Sequence, residues 1–277
     1  MEKDIRDMLI IIGIVFVIIV VAAIAVMNYS GLSSPLTVVE SNSMQHSIDE
    51  SQIGVIDTGD MVIMVSPEKK SVVTYVEGTK IGYEKFGSYG DVIIYKRGEG
   101  RNPVIHRAII EVIYNGDNTW SAPSLEGYQG EWDNEGSKNY TSMTGTLTLY
   151  GLGWRELPAS INLDNLPKHS GYLTNGDNNT AGGATYFDQS TSIAATLGPI
   201  QQKDIKAVAG MEIPWVGCIK LYLNDKNVNM IPSNSLPCLI IAVIDIIMLF
   251  MMISTVLSCF AARREKELCE PIDPKTE

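Results

Sequence analysis

The most restrictive feature of this sequence is an uninterrupted apolar run near its N-terminus. Residues 8–27 read MLIIIGIVFVIIVVAAIAVM and contain no charged side chain. About 20 such residues match the thickness of the hydrocarbon core of a bilayer. We therefore predict a transmembrane helix over residues 8–27, preceded by a short segment, residues 1–7.

A second apolar run covers residues 236–260 and is interrupted by a single acid, Asp245. We predict a second transmembrane helix here, so that residues 28–235 form one domain between two spans and residues 261–277 form a tail. A carboxyl group inside a membrane is costly and often functional. We interpret Asp245 as structural, with contact to the first span or to a partner subunit as the alternative.

The first run shares one property with cleavable signal peptides. Ala23-Ile24-Ala25 matches the small-x-small pattern that precedes a cleavage site. A cleavable signal, however, has a shorter apolar stretch, of about 7–15 residues. We therefore favour an uncleaved anchor.

The distribution of charge predicts the orientation. Basic residues lie before the first span, at Lys3 and Arg6, and after the second, at Arg263, Arg264 and Lys266. Residues 28–68, which follow the first span, contain no Lys or Arg. The positive-inside rule then places both termini in the cytoplasm and residues 28–235 outside the plasma membrane. The formal net charge of −11 argues against a nucleic-acid partner, which would need clustered Lys and Arg.

Residues 28–235 have the pattern of a mainly β domain, with short apolar runs separated by Gly, Asn, Asp and Pro. The candidate strands are Met61–Val65, Ser71–Val76, Asp91–Tyr95, Val104–Ile113, Thr146–Tyr150, Lys206–Ile213 and Val216–Leu223. Residues 114–166 are polar and aromatic, and we interpret them as an insertion on the β scaffold. Of the four cysteines only Cys218 lies in this domain, so no disulfide can form within it.

Besides Asn28, which lies directly beside the first span, two Asn-x-Ser/Thr sequons, at Asn139 and Asn178, lie in the predicted outer domain. Such short matches are weak predictors of glycosylation. The sequence alone leaves the modification of both residues open.

The small number of histidines limits the candidates for a catalytic base. A serine nucleophile needs a base within hydrogen-bond reach and usually an acid to orient that base. The chain has only three histidines, His46, His106 and His169. Serines are too numerous for composition to select one.

Six short blocks follow one another between residues 41 and 217. They are Ser41-Asn42-Ser43-Met44, Thr58-Gly59-Asp60-Met61-Val62, Gly90-Asp91-Val92-Ile93, Ile105-His106-Arg107, Leu173-Thr174-Asn175-Gly176-Asp177-Asn178-Asn179 and Ile213-Pro214-Trp215-Val216-Gly217. No single block is specific, but their order resembles that of the type I signal peptidases. Because the fourth block carries histidine where bacterial members carry lysine, the chain resembles the archaeal and endoplasmic-reticulum subgroup.

This resemblance implies roles for individual residues. Ser43 would be the nucleophile, His106 its general base, and Ser41 a donor to the oxyanion beside the backbone N–H of Ser43. It implies a signal-peptidase-like β catalytic domain that needs no cofactor. A metal site is also not expected, because the three histidines have no zinc-like spacing.

The acid that orients the histidine is less clearly placed by the resemblance. Asp188 lies further from Asp177 than the second aspartate of the family lies from the Gly-Asp-Asn aspartate. If the glycine-bearing residues between them bulge out, Asp188 reaches the family position. We favour Asp188 for this role and Asp177 as structural or auxiliary.

Other polar residues have simpler interpretations. His46 is close to Ser43 in sequence, but we expect an exposed polar residue, because neighbours on an extended segment alternate in direction. His169 is interpreted as a solvated loop residue and Lys96 as an ordinary charge at a strand end. The proline that the family often has after the motif's methionine is missing, since the sequence reads Met44-Gln45-His46.

The resemblance implies a membrane-bound serine endopeptidase that removes signal peptides from exported proteins after a small residue. Its partners would be preproteins and the lipid bilayer, with the protein translocation machinery as a further candidate. One alternative is a protease of the same family with dedicated substrates. Another is a non-catalytic membrane-anchored β-domain, which has no reason to carry Ser43, His106 and the Gly-Asp-Asn block together.

Overall fold

Two long apolar helices flank the folded part of the chain. The computed structural model describes residues 2–98 and 100–269, and residue 1 and the end of the predicted tail, 270–277, lie outside these ranges. The helices are α1 (Glu2–Ser30) and α4 (Ser235–Cys269). Their apolar windows, Leu9–Ser30 and Ser235–Phe260, have mean hydropathies of 3.6 and 2.8 and are long enough to cross a membrane.

Strands account for most of the regular secondary structure between these helices, together with two short helices, α2 (Tyr75–Ile81) and α3 (Cys218–Leu223). The strands are β1 (Leu36–Val38), β2 (Met61–Val65), β3 (Glu84–Lys85), β4 (Ser88–Tyr89), β5 (Val92–Tyr95), β6 (Val104–Tyr114), β7 (Trp120–Ser121), β8 (Trp132–Asn134), β9 (Thr146–Leu152), β10 (Leu157–Asn162), β11 (Gly171–Asn175), β12 (Thr180–Ala181), β13 (Ala184–Thr185) and β14 (Ile205–Ile213). The described chain as a whole is therefore mixed α/β, with its sheets between two candidate membrane helices.

The main sheet is antiparallel and has the strand order β1-β2-β14-β5-β6-β11, with β7 added to β6. Alternate residues of a strand point to opposite faces. On β5, Ile94 therefore packs into one apolar cluster and Ile93 into another. Because both faces are covered, all four residues of β5 are buried, and the sequence shows a continuous apolar run instead of an alternating one.

The predicted insertion contains a sheet of its own, with the order β10-β9-β8. Leu147, Leu149 and Ile161 of this sheet are buried in one cluster with Ile110 and Val112 of β6. The insertion therefore shares an apolar core with the main sheet. The turn between β9 and β10, residues 153–156, lies at its tip.

Two predicted strands are wrong, because neither run contains a strand. The run Ser71–Val76 ends in helix α2, because Thr74 and Glu77 form a capping box in which each side chain bonds the other's backbone N–H. The run Val216–Leu223 forms α3, whose buried residues Cys218 and Leu221 are one helical turn apart. Short apolar runs do not distinguish strand from helix by periodicity alone.

Both long helices are attached to the sheet region by short connections. Ser66 N–H donates to the carbonyl of Ser30, the last residue of α1, at 2.8 Å. At the start of α4, the Asn234 side-chain oxygen accepts from Ser51 N–H at 2.7 Å. The folded region therefore lies directly against the ends of both apolar helices.

Candidate active site

His106 lies on the third position of β6, between β5 and β11. Its side chain is buried, and its Nδ1 is 2.7 Å from Asp188 Oδ2. A carboxylate accepts, so Nδ1 carries the proton in this pair and Nε2 is left as the basic nitrogen. This is the arrangement that a histidine general base requires.

Strand pairing explains why further donors converge on the same carboxylate. His106 lies opposite Ile93 of β5, and Ala108 lies opposite Thr174 of β11. Opposite residues share a face and so do residues two apart, so His106, Tyr95 and Thr174 point to the same side of the sheet. Tyr95 Oη donates to Asp188 Oδ2 at 2.8 Å and Thr174 Oγ1 donates to it at 2.6 Å.

The spacing between Asp177 and Asp188 has a structural basis. The intervening residues form the small hairpin of β12 and β13, with the pairs Thr180–Thr185 and Ala181–Ala184. The chain leaves the Gly-Asp-Asn block in this hairpin and returns beside β11 at Asp188, where a short 3-10 helix begins. The two glycines at 182 and 183 therefore form the turn of a hairpin that lies between the two aspartates.

Asp177 has different partners. Arg107 Nε and Nη2 donate to its two carboxylate oxygens at 2.8 and 2.6 Å, and His46 Nε2 is 3.3 Å from Oδ2. Burial alone would raise the pKa of Asp177, but the charge and hydrogen bonds of Arg107 hold that pKa below its ordinary value. Asp177 is therefore a buried, ionised partner of Arg107.

Arg107 connects this carboxylate to the β3–β4 hairpin. The guanidinium is fully buried. It donates to the carbonyls of Lys85 at 2.8 Å, Phe86 at 3.2 Å and Gly90 at 2.9 Å. Arg107 follows His106 directly and points to the opposite face of β6, so one strand positions both groups.

Ser43 lies on a turn at the wall of a cleft of about 520 Å³ that His106 also lines. Its carbonyl accepts from Asn178 N–H at 2.8 Å. Its hydroxyl is 3.2 Å from that of Ser41. Within the described residues, no hydrogen bond joins Ser43 Oγ to His106.

Gly176 sets the spacing between the nucleophile segment and the histidine. A Cβ at this position would lie 2.8 Å from His106 Nε2 and 2.8 Å from the carbonyl oxygen of Ser43. It would also lie 2.6 Å from Asn179 Nδ2. These contacts are too close for any side chain, so glycine lets the three groups approach one another.

The structure corrects two histidine interpretations. His46 is not an exposed polar residue, because its ring stacks on that of Trp154 and contacts Asp177. His169 is also half-buried, with Nε2 2.9 Å from the Leu197 carbonyl oxygen. Lys96 is exposed at the end of β5, as predicted.

Sequence reasoning did not identify Tyr95, Thr174 or Trp154 as residues of this region. Tyr95 ends an apolar strand and resembles an ordinary core residue until the pairing register is known. In residues 2–98 and 100–269, no group of three or more His, Cys, Asp or Glu side chains is placed to hold a metal ion.

Comparison with known proteins finds no family model and no curated protein that matches this chain.

Proposed function

We propose that this protein is a membrane-anchored serine endopeptidase of the type I signal peptidase kind, which removes signal peptides from exported proteins. The observation that carries the proposal is the buried His106–Asp188 pair, joined at 2.7 Å, whose histidine lines the same cleft as Ser43. The six ordered sequence blocks support the same function. Histidine, carboxylate and serine come from three separate blocks or loops, which a non-catalytic β-domain would not need.

In the proposed reaction, His106 Nε2 takes the proton of the Ser43 hydroxyl as its oxygen attacks the scissile carbonyl. Asp188 holds the ring and stabilises the imidazolium. The imidazolium then gives the proton to the leaving amine, and an acyl ester remains on Ser43. Water, deprotonated by the same nitrogen, hydrolyses that ester and restores the serine.

The oxyanion would be bound by the backbone N–H of Ser43 and the hydroxyl of Ser41. Among the described residues, no group accepts a hydrogen bond from Ser43 N–H. Ser41 Oγ is already beside Ser43 Oγ. Rotation of the Ser43 side chain toward His106 would free the Ser41 hydroxyl for the substrate.

The substrate would bind as an extended chain. β1 is the end strand of the main sheet, and the residues that follow it lead into Ser41 along the cleft. An edge strand offers unpaired backbone groups to a peptide, and pockets for alternate side chains then set specificity. Val39, Met44 and Ile94 line the cleft, which suits small apolar side chains.

The test is cleavage of a preprotein by the full-length chain in lipid vesicles. We expect Ser43→Ala to abolish cleavage, because removal of such a nucleophile costs about 10⁶-fold in turnover. Ser34→Ala is the matched control, since Ser34 is an exposed serine between α1 and β1. Cleavage by Ser43→Ala at the rate of this control would rule out the proposed mechanism.

A further inference from the structure

The tip of the inserted sheet lies against the segment that carries Ser43. The Trp154 ring stacks on the His46 ring, with centroids 4.7 Å apart and planes inclined by 20°. Next to it, Arg155 Nη2 donates to Asn178 Oδ1 at 3.0 Å. The Arg155 guanidinium also lies 4.6 Å from the centre of the Trp154 ring. We refer to His46, Trp154, Arg155 and Asn178 as the brace.

The brace reaches the nucleophile through backbone contacts. Asn178 Nδ2 donates to the carbonyl of Asn42 at 3.0 Å, and Asn178 N–H donates to the carbonyl of Ser43 at 2.8 Å. Because Arg155 takes the amide oxygen, the amide nitrogen is directed toward Asn42. His46, three residues after Ser43, is held between Trp154 and Asp177.

The segment needs such support because it has little structure of its own. Residues 41–46 belong to no strand or helix, and Gln45 N–H to the Asn42 carbonyl is their one internal backbone hydrogen bond among the described residues. Conformational entropy therefore opposes a fixed position for Ser43. A misplacement of about 1 Å can cost on the order of 10²-fold in rate.

We propose that the inserted sheet positions the nucleophile. Trp154, at its tip, holds the segment after Ser43 through His46, and Arg155 holds the segment before Ser43 through Asn178. They are positioning residues, since neither lines the cleft. Their catalytic consequence rests on the proposed function, whereas the ordering of the segment does not. The inserted sheet is thereby assigned a role that its polar and aromatic sequence does not reveal.

Hydrogen exchange tests the ordering directly in the full-length chain in detergent micelles. We expect Trp154→Ala to speed amide exchange in residues 40–47 by about tenfold or more, and Trp154→Phe, which keeps an aromatic ring on His46, to restore most of the protection. Tyr150→Ala is the control, because Tyr150 is exposed on β9, the strand that leads into the turn with Trp154. Unchanged exchange of this peptide in Trp154→Ala overturns the proposal.

Turnover tests the positioning role. We expect Trp154→Ala to lower kcat on a preprotein by about tenfold or more and to change KM by no more than about twofold. A displaced nucleophile reduces the stabilisation of the transition state and leaves substrate binding unchanged. Trp154→Phe should recover most of the loss, and Tyr150→Ala should match the wild type. A loss of kcat that only equals the loss of folded protein, read from the melting curve, overturns the positioning role.

The two proposals fail in different ways. If the wild-type chain cleaves no preprotein, the proposed function is wrong and hydrogen exchange alone decides whether the brace orders the segment. If the wild type is active and Trp154→Ala is equally active with unchanged exchange, the proposed role of the brace is wrong, whereas the proposed peptidase function is supported.

Discussion

Asp188 concentrates its hydrogen bonds on one oxygen. His106, Tyr95 and Thr174 all bond Oδ2, whereas the buried Oδ1 has no hydrogen-bond partner within the described residues. The hydroxyls of Tyr95 and Thr174 fix the direction from which this oxygen meets the histidine. The carboxylate is therefore directed at the Nδ1 atom of His106 by groups on the two strands that flank β6.

The two aspartates should respond differently to the same substitution. We expect Asp188→Asn to lower kcat by about 10⁴-fold, because an amide no longer stabilises the imidazolium. We expect Asp177→Asn instead to destabilise the fold by about 3–5 kcal/mol, since it leaves the buried Arg107 charge unpaired. Turnover and melting temperature, measured on both purified variants, separate the two effects. An Asp177→Asn variant that is inactive but stably folded would contradict this division of roles.

The base should not be replaceable by lysine. A lysine works as a base only where its pKa is depressed far below about 10.4. At position 106 its ammonium would lie beside Asp188, whose charge favours the protonated form. We therefore expect His106→Lys to remain inactive on a preprotein, with His106→Ala as the reference for complete loss. Near-normal turnover by the lysine variant would show that the environment of the base has been misjudged.

Gly176 provides a third test at this scale. We expect Gly176→Ala to lower kcat by about tenfold or more, because the new methyl group would push apart His106 and the Ser43 carbonyl. The backbone at Gly176 has no positive φ angle, so alanine adds steric contact without backbone strain. Assay of turnover beside melting temperature checks this, and an alanine variant with wild-type kcat would show that the segment can shift freely.

Residue-level prediction from the sequence depended on local motifs. Ser43 and His106 stand in short blocks that can be recognised without a structure, and Asp188 could be proposed because a hairpin was allowed for. Tyr95 and Trp154 could not be predicted, since their partners are set by the strand register and by a turn far along the chain. The structure brings Ser43 and His106 to one cleft and hydrogen-bonds Asp188 to His106, while their roles stay proposals.

At the scale of elements, the predicted strands that succeed are those with buried apolar runs in the main sheet, such as Met61–Val65 and Val104–Ile113. One of the two failures, Ser71–Val76, occurs where a local helix signal competes with β-branched residues. The capping box at Thr74 was visible in the sequence and favoured α2 over the end of the predicted strand. The sheet within residues 114–166 was not predicted as a unit, because only its β9 strand has a clear apolar pattern.

Two carboxyl groups should make the stability of the fold depend on pH. They are Asp60, at the end of the segment 45–60, and Glu212 of β14, which lie near each other. Burial raises the pKa of Asp60 from 3.8 and that of Glu212 from 4.5, each to about 7. Asp57, whose pKa burial also raises, and Lys85 face Glu212 as well. The carboxyl groups of Asp60 and Glu212 therefore hold their protons more tightly in the folded chain than in the unfolded chain. Their protonation adds to the free energy of unfolding in full below about pH 4, and this stabilisation is lost as the pH rises through about 7.

We therefore expect the melting temperature of the wild type to fall by about 3–6 °C more between pH 5.5 and 8 than that of Asp60→Asn. The variant is the control because its side chain does not titrate. Asp177, whose pKa is lowered, acts in the opposite direction and only at lower pH. Equal slopes for the two proteins would contradict a raised pKa at Asp60.

At the scale of the whole molecule, the two sequons report the orientation of the folded region. Asn139 is exposed, whereas the amide of Asn178 is occupied by Asn42 and Arg155. On translation into microsomes, we expect a glycan at Asn139 and none at Asn178, because residues 28–235 would enter the lumen. A mobility shift that is removed by glycosidase and by Asn139→Gln checks this. An unglycosylated chain whose folded region is digested by external protease would reverse the predicted orientation.

The short connections from α1 and α4 to the folded region have a kinetic consequence. If both helices lie in a bilayer, the folded region stays at its surface, and under the proposed function a substrate anchored in the same bilayer would reach the cleft by lateral diffusion. The encounter rate then follows the number of molecules per unit area. Dilution with buffer would leave that rate unchanged, whereas fusion with empty lipid vesicles would lower it.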